Sequence, residues 1–157
     1  MGDIKIRKIE EKDLRETGEL IVRLKRFNAE HDPLFTITDD IERNVMEYLR
    51  NSIKGEDREV LIAEDNGKII GVILGEIRDR LFYEPRREIR VRDIYILPHY
   101  RKKGLGKMMI DELEKRVKGK GVDIITVEFP NENLLAHKFY TALGMRSLIC
   151  VYGKSLK

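Results

Sequence analysis

Cysteine is nearly absent from this sequence: Cys150 stands alone among 157 residues. One thiol cannot close a disulfide within the chain or build a multi-cysteine zinc site, a usage that points to a reducing, cytoplasmic setting. The three histidines, His31, His99 and His137, are scattered without metal-ligand spacing, so no metal is expected. No apolar run approaches the roughly 18 residues that a membrane span needs, and the charged amino-terminal stretch holds no apolar core of a signal peptide. Net charge is also small, 31 basic residues against 28 acidic ones. That balance predicts solubility rather than a nucleic-acid partner, and no aromatic residues interleave with a basic face to stack bases.

What remains is a chain whose length suits one domain, residues 1–157, able to bury about two-thirds of its unfolded surface in a single core. Ile4 and Ile6 alternate with charged neighbours and predict a first strand. Leu20, Ile21, Leu24 and Phe27 recur at helical spacing within 11–30, and Ile41, Val45, Leu49 and Ile53 form an i, i+4 stripe after the capping candidates Thr38, Asp39 and Asp40. Asp65-Asn66-Gly67-Lys68 predicts a tight hairpin joining strands from Val60 and from Ile69. A fourth strand from Glu88 to Leu97, a helix from Leu105, a β-branched strand over 122–129, a short helix over 134–143 and a last strand over 147–152 follow. The order β-α-α-β-β-β-α-β-α-β predicts an α/β (α+β) fold: one mixed, mostly antiparallel sheet of about six to seven strands with helices on both faces.

Between the fourth strand and its helix lies Arg101-Lys102-Lys103-Gly104-Leu105-Gly106-Lys107. The first turn of a helix offers unpaired backbone N–H groups and the positive end of the macrodipole, so it binds anions. Glycines let the backbone turn sharply there and come close to a ligand. The basic side chains add fork-like and point-charge contacts, which together imply a di- or polyphosphate. A P-loop and a dinucleotide fold are excluded, since no Lys-Ser/Thr follows and the third glycine is missing.

The segment Ile96-Leu97-Pro98-His99-Tyr100-Arg101-Lys102-Lys103-Gly104-Leu105-Gly106 resembles the Arg/Gln-x-x-Gly-x-Gly/Ala motif of the GNAT family of N-acetyltransferases. Asn133-Leu134-Leu135-Ala136-His137-Lys138-Phe139-Tyr140-Thr141-Ala142-Leu143-Gly144-Met145 resembles that family's second signature, with Met145 in place of its final Phe. The resemblance implies a GNAT-like acyl-CoA N-acyltransferase fold, acetyl-CoA as co-substrate, and a primary amine acceptor on a small molecule, peptide or protein. It implies that backbone groups from Lys102 to Lys107 hold the pyrophosphate, and that the strand around Ile94, Tyr95 and Ile96 pairs with the pantetheine arm as an added strand would. Asn133, Ala136 and Phe139 would line the coenzyme arm and Tyr140 would lie near its sulfur. A non-catalytic acyl-CoA-binding module of the same fold is the alternative.

The chemistry explains the residue types. An amine of pKa about 10.4 is about 0.04% neutral at pH 7, a handicap of roughly 4.6 kcal/mol before attack. Something must take that proton, and Asp93 or Glu128 is placed to do so; equally, Asp93 could pair with a neighbouring arginine and Glu128 could be a solvated strand-end charge. The departing thiolate must then be protonated, and Tyr140 is the candidate acid. The acceptor-binding stretches, 27–38 and 79–87, carry no readable signature. The last strand is an edge with which a second subunit could pair to make a homodimer, and the sequence leaves the oligomeric state open.

Overall fold

The computed structural model describes residues 2–157. Five strands form one sheet in the order β1 (Ile4–Lys8), β2 (Arg58–Asp65), β3 (Lys68–Asp79), β4 (Arg87–Ile96) and β5 (Ile124–Val127). The first four pair antiparallel, and β4 and β5 run parallel. Helices α1 (Leu14–Ala29) and α2 (Ile41–Lys54) separate β1 from β2, α3 (Leu105–Val117) links β4 to β5, and α4 (Leu134–Ala142) follows β5.

Two apolar layers cover the sheet. On one face Leu20 and Ile21 of α1 and Val45 and Leu49 of α2 pack on Val60, Ile62, Val72 and Leu74. On the other, Leu105, Met109 and Leu113 of α3, with Tyr140 of α4, pack on Leu61, Ala63, Ile73 and Ile89. Neighbouring residues of β2 and β3 go to opposite layers, which is why both strands read as continuous apolar runs rather than as alternation. The hairpin forms as its sequence predicts: Asp65 faces Lys68, and Asn66 and Gly67 both have positive φ, at 50° and 81°, the combination a type I′ turn demands.

The carboxy-terminal strand predicted over 147–152 does not form, and the sheet has five strands rather than six or seven. After Ala142 the described chain holds no further helix or strand. Its residues have strand-like composition, but a strand exists only where a ladder partner satisfies it, and β propensity measures fit to a half-buried surface rather than a preference of the backbone. Here Val151 and Tyr152 are more than nine-tenths exposed. The fifth strand is also shorter than predicted, four residues, because it pairs only with Glu88–Val91 of β4. Among the described residues no helix is long and apolar enough to cross a membrane.

Leu113 is fully buried where α3 meets the sheet. Leu113→Ala should lower the unfolding free energy by about 2–5 kcal/mol through lost burial and the cavity left behind, measured as a shift in urea midpoint at unchanged slope.

Candidate functional site

The site begins with an irregularity in β4. Leu74 faces Asp93 and Gly75 faces Val91, so Arg92 is the extra residue of a bulge. A bulge bends its strand and changes which face the following side chains take. Ile89 and Val91 lie in the α3/α4 layer; past the bulge, Asp93 turns to the α1/α2 side, where Tyr95 also packs, while Ile94 and Ile96 pack against the α3/α4 layer. At the same point β4 parts from β5. Their pairing ends at Val91 and Val127, with one further bond from the Glu128 N–H to the Val91 carbonyl at 3.2 Å. From Arg92 to Ile96, β4 is paired on the β3 side alone, so the other edge of the strand has no ladder partner.

The basic turn follows the end of this unpaired edge and leads into α3. Lys102 and Gly104 both adopt left-handed φ, 60° and 83°, which folds successive N–H groups into a concavity of the kind that receives anions. A Cβ at Gly104 would meet nothing within 4 Å, so the glycine is required by its backbone angle and not by crowding. No side chain caps α3, and the first helical amide that bonds back is Met108, to the Gly104 carbonyl at 3.1 Å. The preceding amides point out of the helix end. Gly106 acts through packing instead. A Cβ there would lie 2.9 Å from the Phe139 ring, so its absence lets α4 press against the first turn of α3.

The basic side chains have separate roles. Arg101 Nε donates to the Ile96 carbonyl at 2.7 Å, and its guanidinium lies 5.1 Å from the centre of the Tyr95 ring, so this residue closes the end of β4. Lys107 pairs with Asp111 one turn along the helix. Lys102 and Lys103 are exposed at the turn. Tyr100 anchors the whole segment by donating to Asp65 Oδ2 at 2.9 Å on the β2–β3 hairpin.

The second motif supplies the wall. Asn133 caps α4, its Oδ1 accepting from the Ala136 N–H at 3.1 Å. Ala136 and Phe139 pack against the same apolar layer as Ile94 and Ile96. Tyr140 is buried, stacked 5.4 Å from Phe129 beyond β5 and edge-on to Phe139 at 5.0 Å. Burial alone pushes its phenol well above the ordinary value, so the Tyr140 hydroxyl keeps its proton at physiological pH.

The two candidate carboxylates differ. Asp93 is 3% exposed and accepts from Lys25 Nζ of α1 at 2.5 Å and from the Tyr48 hydroxyl of α2 at 2.8 Å. Burial, followed by the adjacent Asp93 charge, pushes the Tyr48 phenol far up and keeps it a donor. Glu128 pairs with Arg92, which also reaches Glu76 at 3.2 Å, and its side chain is about half exposed. Asp93 thus takes its cation from a helix rather than from a nearby arginine. Lys25 and Tyr48 were not foreseen from the sequence. One sign existed for Lys25: it follows the fully buried Ile21 by four residues and so lies toward the apolar side of its helix.

A mixed sheet whose parallel strands part beyond Val91, followed by an uncapped helix start, is the architecture of an acyl-coenzyme A transferase fold. The sequence profile of the Acetyltransferase (GNAT) family matches residues 23–145, and the chain belongs to that family. A Danio rerio protein named "Probable N-acetyltransferase 14" is 31% identical over 90 residues, 56% of this chain and 30% of that protein. An uncharacterized N-acetyltransferase of Methanocaldococcus jannaschii is 26% identical over 106 residues, 68% of this chain and 47% of the other. The matches therefore span less than half the length of these curated relatives. The aminoglycoside N-acetyltransferase AAC(6')-Iy, solved in complex with CoA, shares the fold at a TM-score of 0.81 and 18% identity, over all of this chain and 97% of that one.

Removing one donor from a buried acceptor costs about 1–3 kcal/mol, and stranding a buried charge costs more. Tyr48→Phe should therefore destabilise the fold by an amount in the lower range and Lys25→Met by more, both read from urea unfolding. Two negligible losses would mean that water reaches Asp93.

Proposed function

We propose that this chain is an acetyl-CoA-dependent N-acetyltransferase, folded as a single domain over residues 1–157, that passes the acetyl group directly to a primary amine in a ternary complex. The observation that carries the reading is the unpaired edge of Arg92–Ile96 followed by the left-handed turn at Lys102 and Gly104. The turn and the uncapped start of α3 suit a pyrophosphate, and the unpaired edge of β4 suits an extended amide-bearing arm that hydrogen-bonds as another strand would. Both features fit acetyl-CoA, whose thioester supplies an activated acetyl group. A solved relative of this fold carries CoA, which supports the assignment.

The chain's own groups then divide the proton work. An acceptor amine arrives mostly as an ammonium and must lose a proton before it attacks. Of the two carboxylates, Glu128 is the better acceptor because its half-exposed side chain can relay the proton to water. Asp93 is committed to Lys25 and Tyr48 and holds the bent part of β4 in place. Tyr140 supplies the proton to the leaving sulfur. Ordinary values put that step uphill by roughly 2 kcal/mol, from a phenol of pKa about 10 to a thiol near 8.5. Burial raises the phenol further, but a thiolate in the same apolar setting is destabilised as well, so the mismatch does not grow in proportion.

The acceptor class is an amine-bearing small molecule or a peptide. A panel of such amines, assayed for thiol release from acetyl-CoA, tests the activity directly. Binding of acetyl-CoA with no turnover on any amine would favour a regulatory acyl-CoA-binding module.

Two variants test the residues. Gly104→Val forces a branched side chain into left-handed φ and should weaken acetyl-CoA binding by at least about tenfold in calorimetry, with an unchanged circular dichroism spectrum. Unaltered affinity in that folded variant would remove the turn from the site. Tyr140→Phe should lower turnover by about 100-fold or more while leaving coenzyme affinity nearly unchanged; full turnover would exclude Tyr140 as the acid.

A further inference from the structure

The connection between β3 and β4 carries its apolar side chains outward. Leu81, Phe82 and Tyr83 are 84%, 83% and 67% exposed. The loop's own bonds hold them there. The Arg80 N–H donates to the Arg86 carbonyl at 2.6 Å, the Tyr83 N–H to the Arg80 carbonyl at 3.2 Å, and Arg80 Nη1 to the Pro85 carbonyl at 2.8 Å. The Arg80 guanidinium also lies 5.8 Å from the centre of the Tyr83 ring. Three consecutive large side chains presented this way form an apolar patch of the kind that marks an interaction site.

The same end of the molecule is strongly basic. Residues 78–87 hold four arginines against Asp79 and Glu84. The α3–β5 connection lies beside them, joined by Arg87 Nη1 donating to the Lys120 carbonyl at 2.7 Å, and residues 115–121 add Lys115, Arg116, Lys118 and Lys120 with no acid. With eight basic residues and two acidic ones, these two segments carry +6 in a chain of net +3, so the rest of the chain is net acidic. Glu59 reaches in to Lys120, and Glu112 to Lys115 and Arg116; Arg86 and Arg87 pair with Glu84 and Asp79. Among the described residues, the exposed Arg78 and Lys118 have no carboxylate partner. Strand β4 starts at this end and α3 finishes here, whereas the Lys102–Gly104 turn lies between the end of β4 and the start of α3. The patch and the turn therefore occupy opposite ends of α3, about 20 Å apart by the rise of its 13 residues.

We propose that this end of the molecule docks on an anionic phospholipid surface. Leu81, Phe82 and Tyr83 enter the boundary between headgroups and acyl chains, and the neighbouring arginines and lysines meet the lipid phosphates. Shape and charge favour a bilayer over a peptide or a nucleic acid. Leu81 and Phe82 project instead of lining a groove, which suits a fluid phase that opens around them; a peptide or a single strand needs a surface that tracks its backbone. Aromatic rings and a leucine beside basic side chains combine the two attractions that hold a peripheral protein at an interface, burial of apolar area and contact with negative lipid. The contact is superficial, since among the described residues no helix is long and apolar enough to cross a membrane. The coenzyme turn, at the far end, stays clear of the bilayer. This inference rests on the two connections and stands independently of acetyl transfer.

Cosedimentation of the full chain with vesicles tests the proposal, using phosphatidylcholine alone and phosphatidylcholine mixed with phosphatidylserine. The expected result is binding to the mixed vesicles only, weakening by about tenfold or more when salt rises from about 0.1 M to 1 M. Leu81→Ser combined with Phe82→Ser, and separately Arg78→Glu combined with Lys118→Glu, should each lower binding by about tenfold or more. All four side chains are exposed, so circular dichroism should not change. An excess of acetyl-CoA should leave binding unaltered. Absence of binding to mixed vesicles, full binding by the serine variant, or displacement by acetyl-CoA, which would move the contact to the Lys102–Gly104 turn, would overturn the proposal. Tighter binding of a single-stranded oligonucleotide or an acidic peptide, lost in the same variants, would overturn it as well.

Discussion

The parting of β4 from β5 after Val91 is the constraint on which the site depends. Up to that residue the two strands satisfy each other; beyond it, β4 keeps β3 and gives up its other partner. An unpaired strand edge inside a domain is costly unless something meets its polar groups. The fold accepts that cost over one short stretch, between the left-handed turn with its uncapped helix start and the apolar layer of α3 and α4. The bulge at Arg92 turns Asp93 toward α1 and α2 while Ile94 and Ile96 face α3 and α4, so each layer receives its own kind of side chain.

A polar node lies under the bend. Asp93 is buried with Lys25 and Tyr48, joining α1, α2 and β4 at the residue that follows the bulge. Such an ion pair adds little net stability, because desolvation offsets attraction, but it makes alternative arrangements expensive. On the opposite face, packing does the corresponding work: Gly106 admits Phe139, Phe139 braces Tyr140, and Phe129 stacks on the same ring. One face of β4 is thus held by charge and the other by shape.

Much of this was readable in residue order. The Asn66-Gly67 hairpin, the stripes of α1 and α2 and the uniformly apolar β2 and β3 follow from local rules that the tertiary structure did not override. The basic turn announced itself through Gly104, and its positive φ agrees. Gly106 was read as a means of approach to a ligand; the structure adds a packing use, since its missing Cβ admits Phe139, and no local rule announces that second use. Lys25 and Tyr48 escaped notice because their importance lies in a carboxylate 68 and 45 residues away. The strand foreseen at 147–152 failed for a related reason, since strand composition shows what a segment could pair with and not whether a partner lies within reach.

By itself, the sequence determined the succession of elements as far as α4, the glycine-bearing turn before α3 and the family, because each is written in spacings of a few residues and in the backbone freedom of particular glycines. The tertiary structure alone decided where the sheet opens, which face Asp93 takes, what neutralises it, and that the last strand-like segment lies outside the sheet. Those outcomes depend on register and on contacts between distant segments. The one extra residue at the Arg92 bulge is enough to change which face Asp93 takes.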